Sequence, residues 1–241
     1  MRRLFPTPAA EVDPRDAYPV PAGPYLRVNM VASVDGAAAV AGRVGALSGP
    51  ADDAVLHVLR GFADVILVGA GTIRAEGYGP ILLPPDEQHR REAAGHSPLP
   101  PLAIVTRSLD LDLTAPLFTA AISRPLILTT ASAPADRRTA AGDVADVITA
   151  GTDRIDMAVA VDALVERGLR RILSEGGPHL LAELYHAHKV DELCLTISPR
   201  ITCGQELSIT AGPPLPQPAG LHLAHILEHD EFLFLRYTNS S

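Results

Sequence analysis

An acid and two glycines stand where an apolar run gives way to a helical pattern in the segment RRILSEGGPHLLAELY, residues 170–185. If the apolar run is a strand of a parallel sheet, these residues lie beyond its carboxyl end, where such sheets bind ligands. Gly176 and Gly177 allow the backbone to approach a ligand closely, and Pro178 starts a helix whose free N–H groups can face an anion. The segment therefore predicts a site for a phosphate-bearing ligand such as a diphosphate, with Glu175 beside it.

A second glycine turn has the same form. In VGAGTIRAEGYG, Gly69, Gly71 and Thr72 come at the end of a short apolar run that is typical of a buried parallel strand. Glycine between a strand and a helix can serve only to form a tight turn, so either turn alone leaves that alternative open. Two such turns at strand ends favour a ligand. The ordinary dinucleotide fingerprint is absent, because Arg74 occupies the place of its third glycine, so a nucleotide would be held in another way.

The helical segment GPADDAVLHVLR places a carboxylate on its apolar face. Asp52 shares a stripe with Val55, Leu56 and Leu59, the face that should meet the sheet. A carboxylate in that position needs a partner or a function. Two interpretations are open: Asp52 caps the helix N-terminus with help from the helix dipole, or it points into a cleft and accepts hydrogen bonds from an amidine-like N–C–N edge of a substrate. The polar face of the same helix carries Asp53, His57 and Arg60.

The composition indicates which kinds of ligand such a site serves. Apolar residues make up 47% of the 241 residues and charged residues 20%, which suits a packed globular chain. Trp is absent and aromatic residues are only 4%, so the core is aliphatic, as in strands that helices bury on both faces. The formal net charge of −8 argues against a general binder of nucleic acid or anionic membranes, since either needs a basic face. We therefore expect a small-molecule substrate and no nucleic-acid or membrane partner.

Cysteine and histidine usage predicts a reduced, metal-free protein in the cytoplasm. The two cysteines, Cys194 and Cys203, are few for a chain of this size, which favours reduced thiols over a disulfide. No apolar run reaches membrane-spanning length, and the chain does not open with a signal-peptide pattern. The nine histidines show no HExxH or paired metal spacing, so we expect no metal site.

Strand-like and helical segments alternate along most of the chain, which predicts an α/β fold with a mostly parallel sheet, helices on its faces and an antiparallel C-terminal edge. Residues 1–24 contain six prolines and are expected to form an extended N-terminal arm, whereas residues 25–241 are expected to form a single domain. The stretch 77–101 is expected to be a long loop, in which Arg90 and Arg91 are solvated or reach a substrate phosphate. The predicted strands occupy residues 25–34, 64–69, 101–105, 125–130, 143–150, 171–174, 190–199, 220–230 and 232–238, the last two as a possible hairpin, and the predicted helices occupy 49–62, 133–142, 156–168 and a segment from Pro178.

Five motifs together resemble one enzyme family. They are ASVDG, ADVILVGAGTIRAEGYG, LAIVTRS, SEGGPHLLAEL and VDELCLTISPRITCG, in this order across residues 25–205. The combination resembles the reductase domain of the bifunctional riboflavin-biosynthesis enzymes, a domain similar in fold to dihydrofolate reductase, and it looks closest to the stand-alone actinobacterial type. The deaminase partner's zinc signature, H-x-E with P-C-x-x-C, is absent, so the resemblance does not extend to deamination.

This resemblance implies NADPH as the cofactor, lying across the carboxyl edge of the sheet. It places Ala32 on the nicotinamide side, and Thr72 and Glu76 by the ligand cleft. It also places the Gly176–Gly177 peptide against the cofactor, where a Cβ would not be tolerated, and residues 177–183 beside the diphosphate. The candidate cofactor residues are Ala32, Gly69, Gly71, Thr72, Glu76, Thr106, Arg107, Ser108, Gly176, Gly177, Pro178, His179 and Leu180.

The motif VTRS follows a predicted strand at the usual place for the adenosine end of the cofactor. The Arg107 guanidinium and the hydroxyls of Thr106 and Ser108 suit the 2′-phosphate of NADPH, whereas an NADH site prefers an acid there. An ordinary polar strand end is the alternative. The phosphate role is favoured because an acidic protein otherwise has little to attract this ligand.

The candidate substrate residues are Asp52, Arg60 and Glu175. Pro50-Ala51-Asp52 resembles the segment that carries the substrate-binding acid of dihydrofolate reductase, although the riboflavin reductases do not generally rely on this acid, and Asp52 is the one catalytic candidate. In the related enzymes Glu175 belongs to the substrate side, and a carboxylate that stabilises the turn or the helix dipole is the alternative.

The resemblance implies a pyrimidine or pteridine substrate, most simply 5-amino-6-(5-phosphoribosylamino)uracil. In the family, the loop after the turn at Gly69–Thr72 carries an arginine that binds phosphate. The corresponding segment here, GYGPILLPP, has no arginine at that position. Dihydrofolate or a similar pterin is therefore the second candidate, and a non-catalytic NADPH-binding module is the third. The cofactor carries the hydride chemistry, so no protein nucleophile is expected. Members of the family commonly pair through their C-terminal strands, which implies a homodimer.

Overall fold

The structure is a computed structural model, and it describes residues 1–204 and 206–239. Within these residues, ten strands form one sheet and eight helices surround it. The strands are β1 (Arg2–Phe5), β2 (Tyr25–Ser33), β3 (Val65–Gly69), β4 (Leu102–Val105), β5 (Leu126–Thr129), β6 (Asp146–Thr149), β7 (Arg171–Ser174), β8 (Glu192–Ser198), β9 (Leu221–His229) and β10 (Phe232–Asn239). The helices are α1 (Pro14–Ala17), α2 (Pro50–Phe62), α3 (Ala70–Glu76), α4 (Pro85–Ala93), α5 (Pro116–Thr119), α6 (Ala135–Val144), α7 (Met157–Glu166) and α8 (Pro178–His186).

The sheet has a parallel part and an antiparallel part. Its strand order is β1-β9-β10-β8-β2-β7-β3-β4-β5-β6. All neighbours from β8 to β6 are parallel, whereas β10, β9 and β1 add antiparallel pairs beyond β8. Strands β9 and β10 form the expected hairpin, joined through Asp230 and Glu231 in left-handed conformations. The predicted fold class is confirmed.

Helices cover both faces of the parallel part, which explains the continuous apolar runs. In β3, Val65 and Leu67 belong to the core on one face, and Ile66 and Val68 belong to the core on the other. All four side chains are fully buried. A strand buried on both faces needs apolar residues at successive positions, so it shows no alternation with polar ones. None of the helices in the described part of the chain is long and apolar enough to cross a bilayer.

The first 24 residues contain more regular structure than an extended arm. Arg2–Phe5 pairs with β9, and Asp13 caps the short helix α1 by accepting a hydrogen bond from the backbone N–H of Arg15. The Tyr18 ring is almost fully buried and lies edge-on against His225. These contacts attach the segment to the antiparallel part of the sheet, and the division between arm and domain at residue 24 stays a prediction.

The stretch 77–101 is not one long loop, because it contains α4. Arg91 is buried in this helix and donates a hydrogen bond to the Ser97 carbonyl, as well as to carbonyls at the end of α2. Glu87 is also buried and accepts hydrogen bonds from Arg15. Polar contacts therefore hold α4 in place, and its sequence lacks the apolar periodicity that would have revealed it. Arg91 is neither solvated nor available to a substrate, and Arg90 pairs with acids of its own helix.

Candidate active site

Seven of the sixteen predicted site residues line a cavity of about 450 Å³ beyond the carboxyl ends of the central strands. Helix α2, the start of α3 and the start of α8 form its sides, as expected for a ligand site in a parallel sheet. Predicted residues that line it are Asp52, Arg60, Thr72, Glu76, Glu175, Gly177 and Pro178. Predicted residues outside its lining are Ala32, Gly69, Gly71, Thr106, Arg107, Ser108, Gly176, His179 and Leu180.

Glu175 belongs to a hydrogen-bonded cluster with Arg60 and Tyr78. The Arg60 guanidinium donates to both carboxylate oxygens of Glu175, from Nε to Oε1 and from Nη2 to Oε2, each at 2.7 Å. The Tyr78 hydroxyl donates to Oε2 of Glu175 and accepts a hydrogen bond from Nη2 of Arg60 at 2.9 Å. The guanidinium and the phenol thus fix the carboxylate in one orientation at the cavity wall.

Burial and charge set the protonation states of this cluster. Burial, reinforced by the neighbouring Glu175 carboxylate, raises the pKa of Tyr78 well above its usual value, so the phenol stays protonated and can donate. Burial disfavours the charged form of Arg60, but Glu175 and Tyr78 together outweigh this effect and raise the pKa of the guanidinium. The sequence interpretation missed Tyr78. Its only signal was an aromatic residue directly after Gly77, the left-handed residue that ends α3.

Asp52 lies on the inward face of α2, as its position in the helical pattern predicted. Its side chain is buried, and the Ser48 hydroxyl donates to Oδ2 at 2.7 Å. Oδ1 is also buried and has no hydrogen-bond partner among the described residues. Burial, with a contribution from the neighbouring Asp53 carboxylate, raises the pKa of the Asp52 carboxyl, while the hydroxyls of Ser48 and of the buried Thr196 lower it, so Thr196 is a second hydroxyl close to this carboxylate.

The surroundings of Asp52 do not match a helix cap. The residue at the N-cap position of α2 is Gly49, which provides no side-chain hydrogen bond. Within residues 1–204 and 206–239, the Asp52 carboxylate accepts no hydrogen bond from a backbone N–H of this helix. An orphaned carboxylate oxygen beside a cavity is a suitable acceptor for a ligand donor. Ser48, which orients this carboxylate, gave no signal in the sequence beyond its place just before the helix.

We use "acidic wall" for Asp52, Arg60, Tyr78 and Glu175, and "glycine wall" for the turns at Gly69–Thr72 and Gly176–Pro178. In the glycine wall, the backbone N–H of Gly69 donates to the Gly176 carbonyl at 2.8 Å, so the two turns lie side by side. The peptide bond between Gly176 and Gly177 is cis. Helix α8 starts at Pro178 without a side-chain cap, which leaves its first N–H groups available to an anion.

Neighbouring side chains alone explain why residues 176 and 177 are glycines. A Cβ on Gly176 would lie 2.8 Å from Sδ of Met30, and the residue has a positive φ of +75°. A Cβ on Gly177 would lie 2.7 Å from Oγ1 of Thr72. Packing at both positions, and the positive φ at Gly176, thus favour glycine with or without a cofactor. Gly71 differs, because a Cβ there would meet nothing within 4 Å, so open space lies above the start of α3.

Only part of the VTRS motif is available to a ligand. Thr106 is buried, and its hydroxyl accepts a hydrogen bond from the Leu109 backbone N–H at 3.1 Å, which stabilises the turn after β4. Arg107 is exposed and forms no hydrogen bond or ion pair with any described residue. Burial raises the pKa of the Glu183 carboxyl, whereas His179, Arg107 and Arg154 lower it, so these side chains lie close to Glu183 on α8. Arg154 had no signal in the sequence.

Three further predicted residues have structural surroundings. Glu76 lines the cavity, but its Oε1 accepts a hydrogen bond from the Val44 backbone N–H at 2.8 Å and thereby holds the loop before α2. Ala32 is buried at the carboxyl end of β2, next to the cavity-lining Val31. Leu180 is buried in the core under α8, whereas His179 is exposed.

Comparison with known proteins gives consistent results. The family model described as the RibD C-terminal domain matches residues 24–233. A curated relative from Methanothermobacter thermautotrophicus is 31% identical over 186 residues, which are 76% of this chain and 81% of the relative. A relative from Archaeoglobus fulgidus is 28% identical over 184 residues, or 76% and 84% of the two chains. Both are named 2,5-diamino-6-ribosylamino-4(3H)-pyrimidinone 5′-phosphate reductase.

A solved structure agrees with these relatives. The crystal structure of a pyrimidine reductase-like protein from Corynebacterium diphtheriae is similar to this fold with a TM-score of 0.81 and 31% sequence identity. The match covers 90% of this chain and 92% of that protein. The similarity therefore extends over most of both chains.

Proposed function

The chain belongs to the RibD C-terminal domain family, and from that membership we propose that it is an NADPH-dependent reductase of a pyrimidine intermediate in riboflavin biosynthesis. The observation that carries this proposal is the meeting of the acidic and glycine walls at one cavity. Reductases named for a ribosylamino-pyrimidinone phosphate are among its relatives. The uracil form of that intermediate is the substrate that the sequence motifs favour.

Three features of the glycine wall and its surroundings fit a nicotinamide dinucleotide. The start of α8 has no side-chain cap and therefore suits the diphosphate of the cofactor. The open space at Gly71 leaves room for the cofactor beside α3. Arg107, exposed beyond β4, suits a 2′-phosphate. When bound, the cofactor supplies the hydride that the reduction needs. Backbone at Gly177 and Pro178, the Thr72 hydroxyl and Arg107 would hold it.

The acidic wall orients the substrate in this proposal. Glu175, fixed by Arg60 and Tyr78, accepts hydrogen bonds from the substrate at a constant position. Asp52 accepts hydrogen bonds from the ring and is the catalytic candidate, since it sets where the acceptor carbon lies. Reacting atoms held about 3–3.5 Å apart gain most from such positioning.

The test is NADPH oxidation by the purified chain with the pyrimidine intermediate as its 2-amino and 2-oxo forms. We expect turnover with at least one form, and a larger increase in melting temperature with NADPH than with NADH. Equal shifts from the two cofactors would remove the 2′-phosphate role of Arg107. A chain that binds NADPH but oxidises it with neither form would instead be a binding module.

Reduction of dihydrofolate or a related pterin is the second candidate, and one observation favours it. The cavity lining contains five carboxylates and, among the described residues, Arg60 as its single guanidinium. Arg60 is already paired with Glu175, so no lining cation is available for a substrate phosphate. The five acids are Asp52, Asp53, Glu76, Glu175 and Glu206. Turnover of dihydrofolate that exceeds turnover of both pyrimidine forms would assign this activity.

We also propose a homodimer formed through the antiparallel part of the sheet. Leu195, Ile226, Leu233 and Leu235 share one face of β8, β9 and β10, and each is only half-buried. Burying such a face against a second copy would stabilise it through the hydrophobic effect. Sedimentation should give twice the mass of 25.4 kDa, and Leu235→Lys should reduce it to one chain. A wild-type monomer would refute the proposal. The cytoplasmic location likewise stays a proposal, consistent with the unpaired Cys194 and Cys203.

A further inference from the structure

A second cavity lies at the edge of the sheet opposite to the acidic and glycine walls. Its volume is about 550 Å³, which is within the usual range for sites that bind small molecules. Its lining includes Gly23, Asp64, Pro101 and Arg171, which stand at or just before the amino ends of β2, β3, β4 and β7. It shares no lining residue with the active-site cavity, so the two cavities are separate.

This second cavity is basic, although the chain as a whole is acidic. Three guanidiniums line it, those of Arg91, Arg170 and Arg171, and Asp64 is its single carboxylate among the described residues. The active-site cavity has the reverse composition, with five carboxylates and one guanidinium. In a chain with a formal net charge of −8, three arginines around one cavity indicate a local site for an anion.

Asp64 does not neutralise all of this charge, because its oxygens already have partners. Oδ1 accepts hydrogen bonds from Nη2 of Arg171 and, at 3.0 Å, from Nε of the same residue. Oδ2 accepts from the backbone N–H groups of Arg170 and Arg171, at 3.0 and 2.8 Å. The Arg170 side chain is exposed and forms no hydrogen bond or ion pair with any described residue. Arg170 therefore keeps all its donors for a ligand.

Arg91 provides the buried part of this site. The residue is only 4% exposed, and it lines the second cavity but not the active-site cavity. Its Nε donates to the Ser97 carbonyl and its Nη1 to carbonyls at the end of α2, whereas its Nη2 donates to no described residue. A guanidinium nitrogen without a partner beside a cavity is a suitable donor for a bound anion.

The positive charges around the second cavity also repel one another. Burial lowers the pKa of Arg91, and the charge of Arg171 lowers it further, whereas the carboxylates of Asp64 and Glu87 act in the opposite direction. Arg91 and Arg171 therefore lie close enough for each charge to disfavour the other. An anion bound between them would relieve this repulsion.

From this arrangement we propose that the second cavity binds a phosphate dianion, either free or as the phosphomonoester group of a small molecule. Three arginines against one aspartate leave two positive charges in the lining, which a dianion balances. His96 counts as neutral here, because its Nε2 lies 2.8 Å from Nη2 of Arg171 and a guanidinium can only donate. Arginine binds phosphate through parallel charge-assisted hydrogen bonds. The proposal is independent of the reductase activity, since it concerns other residues.

Calorimetric titration tests the proposal with inorganic phosphate and with glycerol 3-phosphate, and glycerol is the uncharged control. We expect both phosphates to bind to the wild type and glycerol not to bind. Arg170→Ala should weaken phosphate binding by about 10-fold or more, because it removes charge-assisted hydrogen bonds. Arg107→Ala is the matched control: it removes another exposed arginine without a partner among the described residues, at the carboxyl edge of the sheet, and should leave phosphate binding unchanged.

A second measurement locates the ligand without any variant. Gly95 and Gly168 line the second cavity, whereas Gly71 and Gly177 belong to the glycine wall. In amide NMR spectra, glycerol 3-phosphate should shift the signals of the first two glycines and leave those of the other two in place.

The outcomes separate the source of the phosphate from the existence of the site. Tighter binding of glycerol 3-phosphate than of inorganic phosphate would support a phosphorylated small molecule as the ligand, and tighter binding of inorganic phosphate would support the free anion. Three results would overturn the proposal: no binding of either phosphate at about 10 mM, equal losses of affinity in Arg170→Ala and Arg107→Ala, or NMR shifts confined to the glycine wall.

Discussion

The acidic wall and the glycine wall present different parts of the chain to the cavity. The acidic wall presents side chains, including an ion pair whose Arg60 and Glu175 side chains are 13% and 9% exposed. The glycine wall presents backbone, and its side chains are small or absent. A binding surface of side chains needs partners from distant segments to hold each group, whereas a backbone surface needs only the right turn. The two walls should therefore respond differently to mutation.

The largest effect on stability is expected from breaking the ion pair in the acidic wall. Arg60→Met should lower the free energy of unfolding by about 3–5 kcal/mol, because it leaves the buried Glu175 carboxylate without its cation. Urea unfolding of the cofactor-free chain measures the change. The control is Lys189→Met, which removes a more exposed pair with Asp162 and should lower the free energy by at most about 1 kcal/mol. Equal losses of unfolding free energy in the two variants would show that the Arg60–Glu175 pair stabilises the fold no more than an ordinary surface pair does.

The second prediction concerns the glycine wall and tests why residue 177 is glycine. Gly177→Ala should lower the free energy of unfolding by about 1–3 kcal/mol, since its Cβ would overlap Oγ1 of Thr72. The residue has an extended backbone that alanine adopts, so the contact with Thr72 is the main obstacle. Adding Thr72→Ala should recover most of the loss, as a thermal double-mutant cycle would measure.

The same cycle sharpens the comparison between the walls. Thr72→Ala alone is the reference, because it removes the hydroxyl without changing the glycine. If the double variant stays as unstable as Gly177→Ala, the contact with Thr72 is not the cause. If the double variant regains its stability, its affinity for NADPH shows whether the backbone at residue 177 contacts the cofactor. In Gly177→Ala alone, the loss of packing would obscure that effect.

The third prediction is a cofactor preference. Arg107→Ala should weaken NADPH binding by about 10- to 100-fold and leave NADH binding nearly unchanged, because only NADPH carries the 2′-phosphate. Calorimetry with both cofactors measures this ratio. Arg170→Ala is the matched control: it removes the same charge from an exposed arginine that precedes β7, at the opposite edge of the sheet. Parallel losses of affinity for NADPH and NADH would show a general charge effect instead of a phosphate contact.

The contrast between the walls also explains which residues could be predicted from the sequence. The glycine wall is local, since each turn joins a strand to the next helix, and VGAGT and SEGGP display it directly. The inward position of Asp52 followed from helical periodicity. The partnership of Glu175 with Arg60 spans 115 residues, so no local pattern contains it. Tyr78 likewise acts through Glu175, 97 residues away, which only the folded chain brings close. Ser48 is four residues from its partner Asp52, but a serine before a helix does not by itself indicate which group its hydroxyl contacts.

Elements that polar contacts hold in place were the second kind of feature that could not be predicted from the sequence. The buried strands of the sheet were predictable because apolar runs reflect burial on both faces. Helix α4 was missed because Arg91 and Glu87 fix it through backbone carbonyls and a guanidinium instead of an apolar stripe. A polar residue in the sequence does not indicate whether water or the protein surrounds it. Asp52 in the cavity is likewise a polar side chain that the protein surrounds, and its burial has a measurable consequence for stability.

The smallest expected effect is a gain in stability when the buried acid of the acidic wall is neutralised. Burial raises the pKa of Asp52 in the folded state, so ionisation is less favourable there than in the unfolded chain. At a pH below the pKa of Asp52 in the unfolded chain, the carboxyl is protonated in both states and does not affect stability. At a pH above its pKa in the folded chain, the carboxyl is ionised in both states, and the cost of burying the charge lowers the free energy of unfolding in full. Asp52→Asn should therefore raise the free energy of unfolding by about 1 kcal/mol at pH 7 and change it little near pH 3.

Denaturant unfolding of the ligand-free chain at both pH values measures this difference. Asp53→Asn, exposed on the same turn of α2, should change stability by no more than about 0.5 kcal/mol at either pH. A loss of stability at pH 7 in Asp52→Asn would mean that the unpaired oxygen has a protein partner in solution. A gain in stability at pH 7 would mean that the buried Asp52 charge destabilises the fold. That is expected of a group that serves ligand binding and not packing.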